Sequence, residues 1–529
     1  MRMGLSTDLI ARVLGGAPKW TIAELEEKFP PRNLPEGAMV TRIAPSPTGF
    51  MHIGTVMMAM INKKLAKDSG GVFIVRIEDT DTKREVERAT ELILNWLERF
   101  GLSDDEGAQR GGHYGPYIQS QRKDIYHSVA AELLATGRAY PCFLSPIEME
   151  DIRAKQSAAG FPTGIYGEYA RDRDLTEDEI IARLNAGETP SVRLYSTGDP
   201  SRRIFCKEGI RGSVAFPENN EDIVIVKSND GLPTYHFAML CDDHFMRVTH
   251  VVRANEWLAS LPLHVQLYDM MGWAPPVFAH TFTIDKFDEE TGNQRKLSKR
   301  KDPESAAGFY VENGWPTEAV LEYIFNLAAS GYEEAKTKGQ VKTIWEYPAF
   351  KIKKIPTSGA LFDMKKLEWW AKEFIATLSV DELTRCVSDW ADEYSPEWAA
   401  RTRGQGDYLH AVLGIERDNP KRIRKDFITW KQTLEEVAYF FDDLFQIAAQ
   451  DIDKKVLSEF LKAFDITDDK DAWWKKITEI AARLGISNGD AAMALRVALT
   501  GRTNTPDLYS IMQVMGASRV RERIEKCLK

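Results

Sequence analysis

The sequence predicts an α/β fold whose parallel sheet is interrupted by an α+β insertion and followed by an all-helical C-terminal half. Three observations carry this prediction. Residues 40–100 read as strand, helix, strand, helix, and the second strand, Val72-Phe73-Ile74-Val75, is continuous in apolar residues, as strands covered on both faces are. From about Gln121 to Val226 the texture changes: helical stretches (DIYHSVAAELLATG, IEMEDIRAKQSA, TEDEIIARLNAG) alternate with short strands such as SVRLYS and GSVAF. After Lys296-Leu297-Ser298-Lys299-Arg300 the patterns are helical to the end, from AVLEYIFNLAASG through LEEVAYFFDDLFQIAAQD to DAAMALRVALTG.

The anchor of the first half is Met39–Thr55, MVTRIAPSPTGFMHIGT. A β-branched strand, Val40–Ile43, leads through a Pro/Gly-rich turn into a helix that opens near His52-Ile53-Gly54. The unpaired N–H groups of such a helix start make an anion site, and Gly49 and Gly54 let a ligand approach the backbone. Val56, Met60, Ile61 and Leu65 then fall on one helix face, suited to packing on a sheet. The sheet is expected to resume at Asp222–Lys227, and THVVRANEW reads as a strand ending in polar groups at Arg253, Asn255, Glu256 and Trp257. Ligands on such sheets sit at the carboxyl ends of strands, which singles out Arg42, Ser46, Glu78 and Asp79 as well.

Length and composition narrow the function. A chain of 529 residues exceeds one hydrophobic core, so two to four domains are expected. Its 43% apolar and 28% charged residues are those of a globular protein, without an apolar run that would span a bilayer. The net charge of −10 argues mildly against blanket nucleic-acid binding, so any RNA contact must come from local basic patches. Five widely spaced cysteines without a C-x-x-C pair speak against a disulfide framework or a zinc module. Arg2, Arg12 and Lys19 give the first twenty residues a faint transit-peptide cast, but the acidic helix pattern at 21–28 and the lack of an apolar segment favour the cytoplasm. Residues 1–38 read as an extension of two short helices and a Pro-rich linker, packed on or tethered to the body.

With PSPTGFMHIGT, RIEDTD (76–81) and KLSKR (296–300) in this order, the chain resembles the class I aminoacyl-tRNA synthetases, and among them the bacterial-type glutamyl-tRNA synthetases. The PSPTG loop and the run from Asp105-Glu106-Gly107 through Gly115-Pro116-Tyr117 to Gln119-Ser120 and Arg122 point to the glutamate enzymes. The all-helical C-terminal half separates the bacterial type from relatives with a β-barrel anticodon domain. The resemblance implies a Rossmann-like catalytic domain in two halves, 39–121 and 227–284, around an acceptor-stem-binding insertion, 122–226. A stem-contact region with the KLSKR loop, 285–377, and a helical anticodon-binding domain, 378–529, would follow.

The same resemblance implies that L-glutamate is activated with ATP and Mg2+ and passed to tRNA(Glu), with tRNA(Gln) a further candidate acceptor, by a monomeric enzyme. His52, Lys296 and Lys299 would be catalytic, with Gly54, Ser298 and Arg300 completing the ATP site. Arg42, Ala44, Ser46, Glu78, Tyr235 and Arg253 would bind glutamate. Arginine suits this task because its planar fork matches a carboxylate. The alternative for Arg42 and Arg253 is an internal salt bridge with Glu78 or Glu256. Thr55 stands where many class I enzymes have a second histidine, and Met239 where some relatives have a pocket asparagine. A basic cluster, Asn419–Lys425, offers Lys421, Arg422 and Arg424 to tRNA, with Arg401 and Arg403 upstream. The pairs Trp369-Trp370 and Trp473-Trp474 suit stacking on bases or, better, a buried core. No zinc or other resident metal is expected.

Three rivals remain. A truncated relative that glutamylates a tRNA base would lack the helical half. A nucleotidyltransferase acting without RNA would lack both insertion and tail. A non-catalytic paralogue would have no reason to retain Arg42, His52, Glu78, Tyr235, Arg253 and Lys299 together.

Overall fold

The computed structural model describes all residues except 1–3, 48, 82–85, 87, 289, 299, 349, 419–422 and 447–451. The chain divides into two compact units, Met1–Gly308 with Ile324–Phe362, and Phe309–Tyr323 with Asp363–Lys529. The expected 285–377 region is therefore shared between them. No helix among the described residues is long and apolar enough to cross a membrane.

The first unit opens with helices α1 (Thr7–Leu14) and α2 (Ile22–Lys28), the second started by a Thr21/Glu24 capping box. β1 (Val40–Ile43), α3 (Ile53–Ser69), β2 (Val72–Val75), α4 (Ala89–Arg99) and β3 (Glu106–Gly107) follow in the predicted order. β1 pairs in parallel with β2, Arg42 opposite Ile74, and β2 with β3. The helix face anticipated for α3 is buried: Val56, Met60 and Ile61 are inaccessible and Leu65 nearly so. Gly71 starts β2 because a Cβ there would lie 2.0 Å from the Met39 carbonyl oxygen.

The insertion begins with α5 (Lys123–Ala135) and continues through β4 (Ala139–Cys142), α6 (Pro146–Ala158), α7 (Glu177–Asn185) and β5 (Ser191–Leu194). A hairpin, β6 (Arg203–Glu208) with β7 (Gly212–Pro217), precedes β8 (Val224–Val226), and β4, β5 and β8 form an antiparallel sheet. Next come α8 (Tyr235–Phe245), β9 (His250–Ala254), α9 (Leu261–Met271) and β10 (Val277–Thr281), with β9 and β10 parallel. The Thr249 N–H donates to the Val40 carbonyl at 3.0 Å, which sets β9 beside β1. A smaller sheet joins β11 (Ile284–Phe287), β12 (Gln294–Lys296) and β13 (Ala360–Leu361).

The N-terminal extension is packed on this body. Leu5 N–H donates to the Leu134 carbonyl at 3.1 Å, Ser6 N–H to Glu177 at 2.6 Å and Arg12 to Asn185 at 2.7 Å, so one segment touches both α5 and α7. Arg32 grips Glu106 through two nitrogens at 2.7 and 3.0 Å.

The second unit is helical throughout, from 364–377 to 517–528, around a core that includes Leu383, Val387, Leu434, Phe460, Ile477 and Leu495. Each tryptophan pair is divided: Trp370 and Trp473 are buried, whereas Trp369 and Trp474 are 37% and 43% exposed. Adjacent positions on a helix lie about 100° apart, so one face cannot take both.

Candidate active site

A cavity of about 910 Å3 lies at the carboxyl ends of β1 and β9. Nine of the residues expected to bind ATP or glutamate line it, Arg42, Ala44, Ser46, His52, Gly54, Glu78, Tyr235, Arg253 and Lys296, as do Glu256 and Trp257. Gly49, in the loop above, has φ 122°, a conformation that disfavours any side chain. Asp79 is turned away and accepts from the Ser120 N–H and hydroxyl at 2.8 and 2.6 Å. Met239 is fully buried in the apolar core and is not among the lining residues.

His52 is the N-cap of α3. Its Nδ1 accepts from the Gly54 N–H at 2.9 Å, which places the imidazole proton on Nε2, and Nε2 faces the Leu297 carbonyl at 3.2 Å. Gly54 makes this possible, since a Cβ there would come within 2.9 Å of Nδ1. The Gly54 N–H is thus directed at the imidazole rather than outward, and His52 ties the first motif to the KLSKR loop. Leu297 anchors that loop by burial, while its N–H donates to Ile284 at 3.0 Å. Asp302 accepts from the Ser298 N–H at 2.8 Å and from Arg295 at 2.6 and 3.0 Å. Lys296, half exposed, pairs with Glu256 at 2.6 Å. Ser298 and Arg300 lie beyond the lining, with the Arg300 N–H 3.4 Å from the Ser298 hydroxyl. Lys299 lies outside the described residues.

Beneath the pocket is a buried ionic network that the motifs did not announce. Arg42 makes an internal salt bridge, the alternative to its expected glutamate contact, with Asp243 at 3.2 Å and not with Glu78 or Glu256. Arg76 reaches Asp243 at 2.7 Å, Glu78 at 3.1 Å and Asp242 at 3.4 Å, and Arg122 reaches Asp242 at 2.6 Å. Gln119 donates to Asp242 at 2.8 Å, and Tyr126 to the same carboxylate at 3.0 Å. Three guanidiniums thus face three carboxylates. Burial pushes the Glu78 carboxyl up, against the pull of Arg76 and Arg42. Burial also pushes the Asp243 carboxyl up, but Arg42 and Arg76 outweigh it and hold the group below its ordinary range.

Arg253 is the fourth buried arginine in and beneath this pocket, and among the described residues no carboxylate forms an ion pair with it. Its Nε donates to His280 Nε2 at 3.0 Å and its Nη2 to His264 Nδ1 at 2.9 Å. Nη1 makes a long contact, 3.4 Å, with the Tyr235 hydroxyl, and the Tyr235 ring packs 4.3 Å from that of Trp257. Burial lowers the affinity of this guanidinium for its proton. A buried cation facing a cleft without a countercharge is suited to an anionic ligand.

Burial also disfavours the charged forms of the neighbouring imidazoles. His236 is pushed down to about 4, and His264 and His280 shift the same way. Because the folded values lie below the unfolded one, protons favour the unfolded chain. This stability is complete above pH 6.5 and is lost as pH falls from 6.5 towards 4. For His236 alone the loss at pH 5 is on the order of 2 kcal/mol. Denaturant unfolding of the wild type and of His236→Gln at pH 7 and pH 5 should show the variant losing less; equal losses would refute the linkage.

Of the residues expected to meet RNA, Lys421 and Arg422 lie outside the described residues. Arg424 is buried, bound to Asp426 at 2.6 and 2.7 Å and stacked on Phe427, so it does not present its charge to a phosphate. Arg403 pairs with Asp392 at 3.0 Å and Arg401 with Asp443.

Parallel strands with an anion-ready pocket at their carboxyl ends, a histidine-capped helix and a lysine-bearing loop define a nucleotide-binding α/β enzyme of the class I synthetase type. Residues 38–369 match the family described as tRNA synthetases class I (E and Q), catalytic domain, and residues 385–528 match an anticodon binding domain. The chain belongs to this family of class I tRNA synthetases specific for E and Q. It is 43% identical to a glutamate–tRNA ligase of Clostridium perfringens over 95% of this chain and 96% of that one. With the glutamate–tRNA ligase of Clostridium beijerinckii it shares 41% identity over 99% of this chain and the whole of the other. Among solved structures, a glutamate tRNA ligase from Elizabethkingia meningosepticum in complex with its amino acid superposes with a TM-score of 0.76 at 30% identity, covering 93% of this chain and 99% of that one.

Proposed function

We propose that this chain ligates L-glutamate to tRNA in the cytoplasm, for use in translation. The glutamate α-carboxylate attacks the α-phosphorus of ATP, the bond to the β-phosphate oxygen breaks, and pyrophosphate leaves. The terminal ribose hydroxyl of tRNA then attacks the acyl carbon and displaces AMP. Such chemistry needs positioning and charge neutralisation more than covalent help. Mg2+ enters with the nucleotide as the counter-ion of its phosphates.

The observation that carries this reading is Arg253, a buried cation with no carboxylate partner among the described residues, in the same pocket as Arg42, Tyr235 and Glu78. An amino acid with two carboxylates and one ammonium matches that set: the arginines take carboxylate, and Glu78, 7% exposed, accepts from the ammonium. The ATP end of the site lies where His52 meets Leu297, with Lys296 and Lys299 supplying cations for the leaving pyrophosphate. Lys421 and Arg422 are offered as phosphate contacts in the helical unit.

The test is charging of labelled glutamate, with ATP and Mg2+, onto separately purified tRNA(Glu) and tRNA(Gln). Charging of the first alone makes this a discriminating enzyme; charging of both makes it the relaxed kind. Charging of neither by folded, ATP-binding protein would refute the reading and favour an RNA-free nucleotidyltransferase. Lys299→Ala is expected to slow charging about 30-fold, with the fold intact, by removing one charged phosphate contact. An unchanged rate would take Lys299 out of the ATP site.

A further inference from the structure

The other buried arginines around this pocket are answered by acids: Arg42 by Asp243, Arg76 by Asp242, Asp243 and Glu78, and Arg122 by Asp242. Arg253, 5% exposed, is answered by imidazoles instead. The hydrogen-bond geometry fixes their tautomers. His264 Nδ1 accepts from Arg253, so its proton sits on Nε2, which lies 2.8 Å from His236 Nδ1. The acceptor in that second contact must be His236 Nδ1, which leaves the His236 proton on Nε2. On the other side, His280 Nε2 accepts from Arg253, so its proton sits on Nδ1, 3.4 Å from Glu208. Glu208 is itself occupied by the N–H groups of Ile210, Arg211 and His280. All three imidazoles are neutral in this arrangement, and their burial keeps them so.

The consequence is a division of labour that an acidic partner could not provide. A carboxylate behind Arg253 would orient the guanidinium but also cancel its charge and occupy its fork. Neutral imidazoles accept from Nε and Nη2, fix the plane of the fork, and leave the full positive charge facing the pocket. We propose that His264 and His280 are positioning residues that hold Arg253 oriented yet uncompensated, so that the pocket selects an amino acid bearing a side-chain carboxylate over its amide. The selection works through what is left unpaired. An amide substrate supplies one negative charge fewer, so a buried guanidinium stays uncompensated, whereas glutamate satisfies it. This inference rests on the proposed glutamate activity.

The test exchanges charge at constant shape. The substitution His264→Asn returns a neutral oxygen near the position of Nδ1, and His264→Asp returns an anionic one. Charging assays with saturating tRNA and ATP should give a KM for glutamate raised roughly 10- to 100-fold in His264→Asp, with the KM for ATP unmoved and discrimination against glutamine weakened. His264→Asn should stay within about threefold of wild type, and His264→Ala should fall between the two. Equal KM values for the Asn and Asp variants, whether both normal or both impaired, would overturn the proposal, because a packing role cannot tell them apart. If His264→Asp does not fold, His280→Gln against His280→Glu makes the same comparison from the other side of Arg253.

The wild type provides a measurement that needs no variant. His264 faces Arg253, His236, His280 and Arg42, and His280 faces Glu208, Arg253 and Arg211. With both imidazoles neutral throughout, the KM for glutamate should stay level from pH 8 to pH 6. A KM that rises as pH falls through the ordinary imidazole range would show a charged ring against Arg253 and overturn the proposal. Wild-type protein that charges no glutamate would instead refute the underlying activity, a distinct result.

Discussion

Arg253→Leu is expected to lower kcat/KM for glutamate by about three orders of magnitude, mostly through KM, while costing the fold little. Removing one partner of a desolvated, charge-assisted contact is worth about 3–5 kcal/mol, or roughly 10²- to 10³-fold and more. On the stability side, two imidazole nitrogens lose a donor, a cost of about 1–3 kcal/mol each at most. Against that, a cation without an acidic partner no longer has to be kept from water. The two effects oppose one another, so the unfolding midpoint should move little. An Arg253→Leu enzyme with an unchanged KM for glutamate would remove this residue from the substrate site.

Asp243→Asn should do the reverse. The substitution keeps the shape but removes the countercharge shared by Arg42 and Arg76, both buried. Breaking a buried pair from one side costs about 3–5 kcal/mol, because the partner's charge remains without compensation. Stability should be followed through a probe in the catalytic unit, since two compact units need not unfold together. The pH dependence gives a second check. The Asp243 carboxyl titrates below its ordinary value when folded, so its contribution is present above the unfolded value and lost as pH falls through the folded one. The gap between wild type and Asp243→Asn should therefore be full at pH 7 and close in strong acid. A variant as stable as wild type at pH 7 would show that the network does not support the fold. Together the two variants separate a residue that binds from one that holds the binder.

Local signals were enough to place the first motif. Val40–Ile43, the Pro/Gly loop and His52-Ile53-Gly54 are contiguous, and strand, turn and N-cap each leave a mark within a few residues. The insertion and the helical tail were legible for the same reason: their periods differ from those of the flanking strands. The ionic floor of the pocket was not. Asp242 and Asp243 sit in the middle of YHFAMLCDDHF, where two adjacent acids in an apolar helix could have been read as a buried charge site. Their partners lie 116 to 201 positions away, a distance over which no periodicity speaks. His264 and His280 were invisible for a plainer reason, since a lone histidine in an apolar run is usually just core. The tryptophan pairs and Arg424 show the opposite error, in which a run of like residues suggests a shared role although helix geometry and a nearby acid give each member its own.

The long reach of these contacts has a meaning for how the chain is made. Arg42 leaves the ribosome on β1 and Arg76 directly after β2, whereas Asp243, which compensates both, follows 201 and 167 residues later. The Leu297 carbonyl that holds His52 comes 245 residues after it. At roughly 5–20 residues per second, Arg42 and Arg76 wait on the order of 10–40 s for Asp243, although Arg76 has Glu78 at once. During that interval Arg42 lacks Asp243 and Arg76 has Glu78 alone, while the sheet of β4, β5 and β8 receives all its strands. A chain released before Asp242 would carry the whole first motif and the network's arginines but neither aspartate that compensates them. The active site of this enzyme is therefore among the last parts of its catalytic unit that synthesis allows to close.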